Sequence, residues 1–136
     1  MDHEATIRAL IERDVAASLM NTTKWMEALD ALRPLALFYR IKLLTHSQPS
    51  SWQRWLQGGS ASDYLPRGYI EGCGYSPTPV LEIEWLEVQP AGTDAGPDIA
   101  NAPEDPLTAI ETALSAHHIP FRREGDLIRI TGHIRR

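Results

Sequence analysis

Half of the chain's eighteen acidic side chains fall within residues 61–106, where Arg67 is the single base. Residues 1–60 carry seven Lys or Arg against six Asp or Glu, and residues 107–136 carry five against three. The formal net charge of −5 is therefore the property of one segment, which alone carries −8. Inside it, Glu82 and Glu84 stand two residues apart in an alternating run. A strand would place both on one outward face, with carboxylates about 7 Å apart. With Glu87, Glu71, Asp94 and Asp98 nearby, and Trp55 or Trp52 on a short turn as an aromatic anchor, the chemistry is that of a surface that attracts and grips a basic protein. Solvated glutamates that maintain solubility and blunt edge pairing explain the same residues without a partner. Acid–base catalysis by these glutamates needs environments that drive their pKa values apart, and outward strand positions do not supply them.

Other reactive residues are scattered. Cys73 lies between two glycines, and five histidines (3, 46, 117, 118, 133) could supply a base, so a thiol nucleophile is the enzymatic alternative. No local cysteine-protease signature surrounds it. His117 and His118 adjoin at a helix end, where a cation suits the helix dipole, and neither HxH nor HxxxH metal-ligand spacing occurs. Neither Gly58-Gly59 nor Gly72-Cys73-Gly74 matches a phosphate-cradling loop, and no cofactor is implied. Arg122, Arg123, Arg129, Arg135 and Arg136 with Phe121 could touch RNA as a regulatory module. The acidic balance disfavours nucleic acid, and pairing with the protein's own carboxylates is the simpler role for these arginines.

The elements that must position these residues follow from periodicity. Ile7, Leu10, Ile11, Val15 and Leu19 form one helical stripe over residues 4–19, and Trp25, Leu29 and Leu32 another over 24–33, capped from Asn21-Thr22-Thr23 and stopped by Pro34. From Leu37 the period becomes two, with Tyr39, Ile41 and Leu43 on one side and Arg40 and Lys42 on the other. Pro49 to Leu56 reads as a short helical turn ended by Gly58-Gly59, and 68–71 as a strand tip. Residues 80–88 form the clearest strand, with a phase slip at Trp85-Leu86 that a bulge or two-sided burial explains. Residues 89–106, rich in Pro, Gly and Asp, read as a long surface loop. Leu107, Ile110 and Leu114 form a helix ended by His118, and a Glu124-Gly125-Asp126 turn joins two closing strands.

The 136 residues are expected to fold as a single domain, α+β in class, with helices packed on a small, mostly antiparallel sheet of about four strands. The lone cysteine excludes an internal disulfide and a cysteine-based metal cluster. No apolar run approaches a membrane span, and the opening Met-Asp-His-Glu lacks the basic and apolar regions of a secretory signal, so the expected compartment is the cytoplasm.

Asn21 to Trp25, Gly68-Tyr69-Ile70, Ile83 to Val88, Ile119-Pro120-Phe121 and Ile128 to Gly132 together resemble an uncharacterised family of short bacterial proteins of unknown function. The match spans most of residues 20–133 and departs at Gly132-His133, where such proteins tend to end in Gly-Tyr. The resemblance implies a setting of toxins and their immunity partners and supplies no catalytic residue. The expectation is a non-enzymatic immunity protein that occludes a basic effector, such as a nuclease, through Glu71, Glu82, Glu84, Glu87, Asp94, Asp98 and Trp55.

Overall fold

The structure is a computed structural model that describes residues 3–54, 69–70, 78–91 and 106–136. Its centre is a five-stranded antiparallel sheet. The strands in chain order are β2 (Leu37–Leu43), β3 (Gln53–Arg54), β6 (Ile83–Pro90), β7 (Arg122–Glu124) and β8 (Leu127–Thr131), arranged β3-β2-β6-β8-β7. Two further two-stranded ribbons pair β1 (Val15–Ser18) with β9 (His133–Arg135), and β4 (Tyr69–Ile70) with β5 (Thr78–Pro79). Three helices complete the α+β fold: α1 (His3–Asp14), α2 (Thr22–Leu32) and α3 (Pro106–Ala116).

Period-two burial decides which side of the sheet carries the core. Leu37, Tyr39, Ile41 and Leu43 are buried in β2, Leu86 and Val88 in β6, and Ile128 and Ile130 in β8, on the side that α2 and α3 cover. The helices contribute Trp25, Ala28, Leu29 and Leu32 from α2 and Leu107, Ile110 and Leu114 from α3. Asn21 caps α2 by accepting a 2.7 Å hydrogen bond from the Lys24 backbone N–H. At the end of α3, His118 takes a left-handed backbone (φ 56°), so that Ile119 N–H returns to Leu114 O at 3.0 Å. Lys24 Nζ adds a bond to His117 O at 3.1 Å. Gly125 (φ 59°) makes the β7–β8 turn.

Several expectations are corrected. The first helix stops at Asp14, and Val15–Ser18 becomes a strand, because pairing with His133–Arg135 satisfies backbone groups that a longer helix would bond internally. The closing segment accordingly holds three strands, not two. Gln53–Arg54 joins the sheet edge beside β2, so the helical turn expected around Trp52 is absent there. Residues 80–82 form a single 3-10 turn before β6 begins at Ile83. The phase slip in β6 is a bulge: Lys42 faces Trp85 and Leu43 faces Ile83, leaving Glu84 as the extra residue. The expected loop starts later, since β6 runs to Pro90 and Ala91 N–H bonds Ala36 O; residues 92–105 lie outside the described residues.

Gly132 is the joint at which the chain leaves the sheet for the β1–β9 ribbon. Its N–H donates to Glu84 O at 2.7 Å and its carbonyl accepts from Leu19 N–H at 2.8 Å. A Cβ on Gly132 would collide with Ile83 O and lie 2.9 Å from the Trp25 ring, which is fully buried. Gly132→Ala is therefore expected to lose about 3 kcal/mol in urea denaturation, the upper end of overpacking. Gly125→Ala, with open space but positive φ, should lose about 1 kcal/mol. Equal losses would show that the Trp25 contact does not govern Gly132.

Candidate functional site

The side of the sheet turned away from α2 and α3, here the outer face, carries the second phase of each strand. In β2 these are Phe38, Arg40 and Lys42, all half-buried, and in β6 they are Trp85, Glu87 and Gln89. Pairing aligns Arg40 with Glu87, Glu87 with Arg129 and Arg129 with Arg122, so one cross-strand row runs through β2, β6, β8 and β7. Arg54 stands opposite Phe38 at the sheet edge.

Glu87 is the centre of that row, with only 1% of its surface exposed. A carboxylate so removed from water needs hydrogen bonds and opposite charge in place of hydration. Arg40 Nε donates to Oε1 at 2.7 Å, while Arg129 Nε and Nη2 donate to Oε2 at 2.9 and 2.6 Å. One buried negative charge thus meets two positive ones. The same guanidinium groups lie over aromatic rings: Arg40 is 4.8 Å from the Trp52 centroid and 5.7 Å from that of Trp85, and Arg129 is 4.6 Å from Trp85. Trp85 is therefore flanked from the β2 side and from the β8 side.

Glu84, the bulge residue, forms a second cluster at the end of the face. Its Oε1 accepts from Lys42 Nζ at 3.1 Å and Arg135 Nε at 2.6 Å, and Arg135 Nη2 also bonds Leu44 O at 2.9 Å. Glu82 lies on the 3-10 turn, buried, with Oε1 2.8 Å from His3 Nε2, an ion pair when His3 is protonated. Nearby, buried His133 bridges Ser18 Oγ through Nδ1 and Leu81 O through Nε2, each at 2.8 Å, which ties the β1–β9 ribbon to the turn.

The three strand-region glutamates are thus not solvated outward positions. Glu82 does not share a strand face with Glu84, because the strand starts one residue later; Glu84 and Glu87 have cationic partners within the chain, and Glu82 faces His3. Glu71, Asp94, Asp98, Trp55 and Cys73 lie outside the described residues. Arg122, Arg123, Arg129 and Arg135 each pair with a carboxylate of the same chain. The residues that sequence reasoning did not single out are Arg40 and Trp85. A signal existed: the polar phase of one strand is basic (Arg40, Lys42), that of the other acidic (Glu84, Glu87), and opposite charges pair across antiparallel strands. Among the described residues, no group of three or more His, Cys, Asp or Glu could hold a metal, and no helix is long and apolar enough to cross a membrane.

Glu87→Ala should cost about 3 kcal/mol, since it leaves two half-buried guanidinium groups facing each other with only Glu124, 3.8 Å from Arg129, as counter-charge. Glu87→Gln, which retains an acceptor, should cost less, and chemical denaturation of both variants measures the difference. A Glu87→Ala protein as stable as the parent would show that the arginines are held by their aromatic contacts alone.

No curated protein and no solved structure matches the chain. A family model does, over residues 7–136, which takes in all five sheet strands, α2, α3 and every residue of the Glu87 and Glu84 clusters. By that match, the chain belongs to a family of unknown function (DUF6678).

Proposed function

We propose that this chain is a non-enzymatic protein-binding protein whose working surface is the outer face of the sheet. The observation that carries the reading is the Trp52, Arg40, Trp85 and Arg129 assembly, held rigid by one buried carboxylate. Tryptophan and arginine are the side chains that dominate binding energy at protein interfaces, because they combine large apolar area with polar reach. Here Arg40, Trp85 and Arg129 stand on strands and Trp52 immediately precedes one, with little side-chain freedom left to lose when a partner docks. Of the described histidines, His133 has both ring nitrogens engaged and His3 faces Glu82.

A second reading is the immunity protein that neutralises a basic effector in the cytoplasm. With Glu82, Glu84 and Glu87 paired internally, its acidic contact would come from Asp63, Glu71, Asp94, Asp98, Glu104 and Asp105. These six carboxylates share segments in which Arg67 is the single base. That excess of negative charge favours a basic partner.

The two readings separate by charge reversal. Arg54 and Arg122 are exposed, so Arg54→Glu and Arg122→Glu should change stability by less than about 0.5 kcal/mol. On the leading reading, these two substitutions weaken the complex with the native partner recovered from the source cell, while Asp94→Asn with Asp98→Asn leaves it intact. The reverse pattern, measured by surface plasmon resonance, would transfer the function to the acidic segments.

A further inference from the structure

The chemistry of the outer face specifies what kind of surface fits it. Register and contacts place Arg40, Lys42, Arg54, Arg122, Arg129 and Arg135 on this face against Glu84, Glu87 and Glu124. Among the described residues that is three positive charges in excess on this face of a chain whose formal net charge is −5. The excess is concentrated at Glu87, where two guanidinium groups share one carboxylate. Arg40 commits Nε alone to that carboxylate, and its two terminal amino groups make no hydrogen bond to a described residue. Arg129 commits Nε and Nη2, leaving Nη1. Each arginine therefore has donors to spare in a fixed direction.

We infer, building on the outer-face reading above, that the partner presents an acidic protein segment to this face. Its carboxylates accept hydrogen bonds from the spare amino groups of Arg40 and Arg129. Planar guanidinium forks match carboxylate geometry, and charge-assisted bonds of this type are about twice as strong as neutral ones. Single-stranded nucleic acid, the other anion that basic aromatic faces take, binds by stacking bases on open rings. Here the approaches to Trp85 from β2 and β8 hold Arg40 and Arg129, and Arg40 also lies over one face of Trp52, so a base that stacks on Trp85 must first displace a guanidinium group that a buried carboxylate anchors. A carboxylate arriving edge-on displaces nothing.

The test titrates the full chain with a fluorescein-labelled peptide of alternating glutamate and serine, the same peptide with glutamine for glutamate, and a short oligo-uridine. Anisotropy is read at low and at physiological salt. The glutamate peptide should bind, weaken as salt rises, and outbind both other ligands by about tenfold, the effect of one good charge-assisted contact. Arg40→Lys retains a cation beside Glu87 but loses the fork, and should weaken the glutamate peptide several-fold. Arg54→Gln with Arg122→Gln should do the same while thermal stability is unchanged, so folding is not the cause. Equal binding of glutamate and glutamine peptides overturns the inference. Tighter oligo-uridine binding that these variants weaken overturns the acidic-protein partner but leaves the face as the docking site. If the variants alter no ligand, the outer-face reading falls with it.

Discussion

Glu87 imposes the condition around which the sheet is arranged. A carboxylate that is almost wholly buried is far too costly to leave unpaired, so the strand that carries it must lie between two strands that each offer a cation at the same level. β2 offers Arg40 and β8 offers Arg129, and only the order β2-β6-β8 places them on the two sides of Glu87. The arrangement also defines register. A slip of β6 by one residue would turn Glu87 toward Leu32, Ile110 and Leu114 and turn Leu86 outward, exchanging a satisfied charge for an unsatisfied one in the core.

The bulge at Glu84 is what allows this arrangement to coexist with a continuous core. Ile83 and Leu86 both pack toward the helices although three positions separate them, which simple alternation forbids. The extra residue turns its own carboxylate to Lys42 and Arg135, so the distortion acquires an anchor from β9. Its carbonyl receives the Gly132 N–H. Trp25 on α2 then fills the space that the absent side chain of Gly132 leaves. Sheet, ribbon and helix are thereby tied together within a few residues of the bulge.

This rigidity bears on function through preorganisation. An arginine free in solution loses side-chain entropy when it binds, whereas Arg40 and Arg129 have lost it on folding, to Glu87 and to the tryptophan rings. The described sheet face is basic and aromatic, while the remaining acidic segments lie outside the described residues. Membership of a family of unknown function extends these features to a question about a group of proteins, since residues 7–136 include every participant in the cluster.

The helices α2 and α3, strand β2, the β7–β8 turn and the α+β class were legible because local spacing expresses them directly: Trp25, Leu29 and Leu32 at helical steps, Tyr39, Ile41 and Leu43 at strand steps, Gly125 at the turn. What remained hidden depends on partners distant in the chain. Val15–Ser18 continues a helical stripe and becomes a strand only because His133–Arg135, more than a hundred residues away, supplies its hydrogen bonds. The acidic run around Glu87 reads as a solvated surface from sequence, since charge and alternation say that a glutamate faces away from the core but not what waits on that side. Arg40 and Arg129 stand 47 and 42 residues from it, and only the strand order brings them there. In β2 the sequence by itself determined which residues turn from the core, through the two-residue period of a strand, whereas in β6 the bulge breaks that period. The tertiary structure decided that Glu84 and Glu87 are already paired, because ion pairing depends on distance in space and not along the chain.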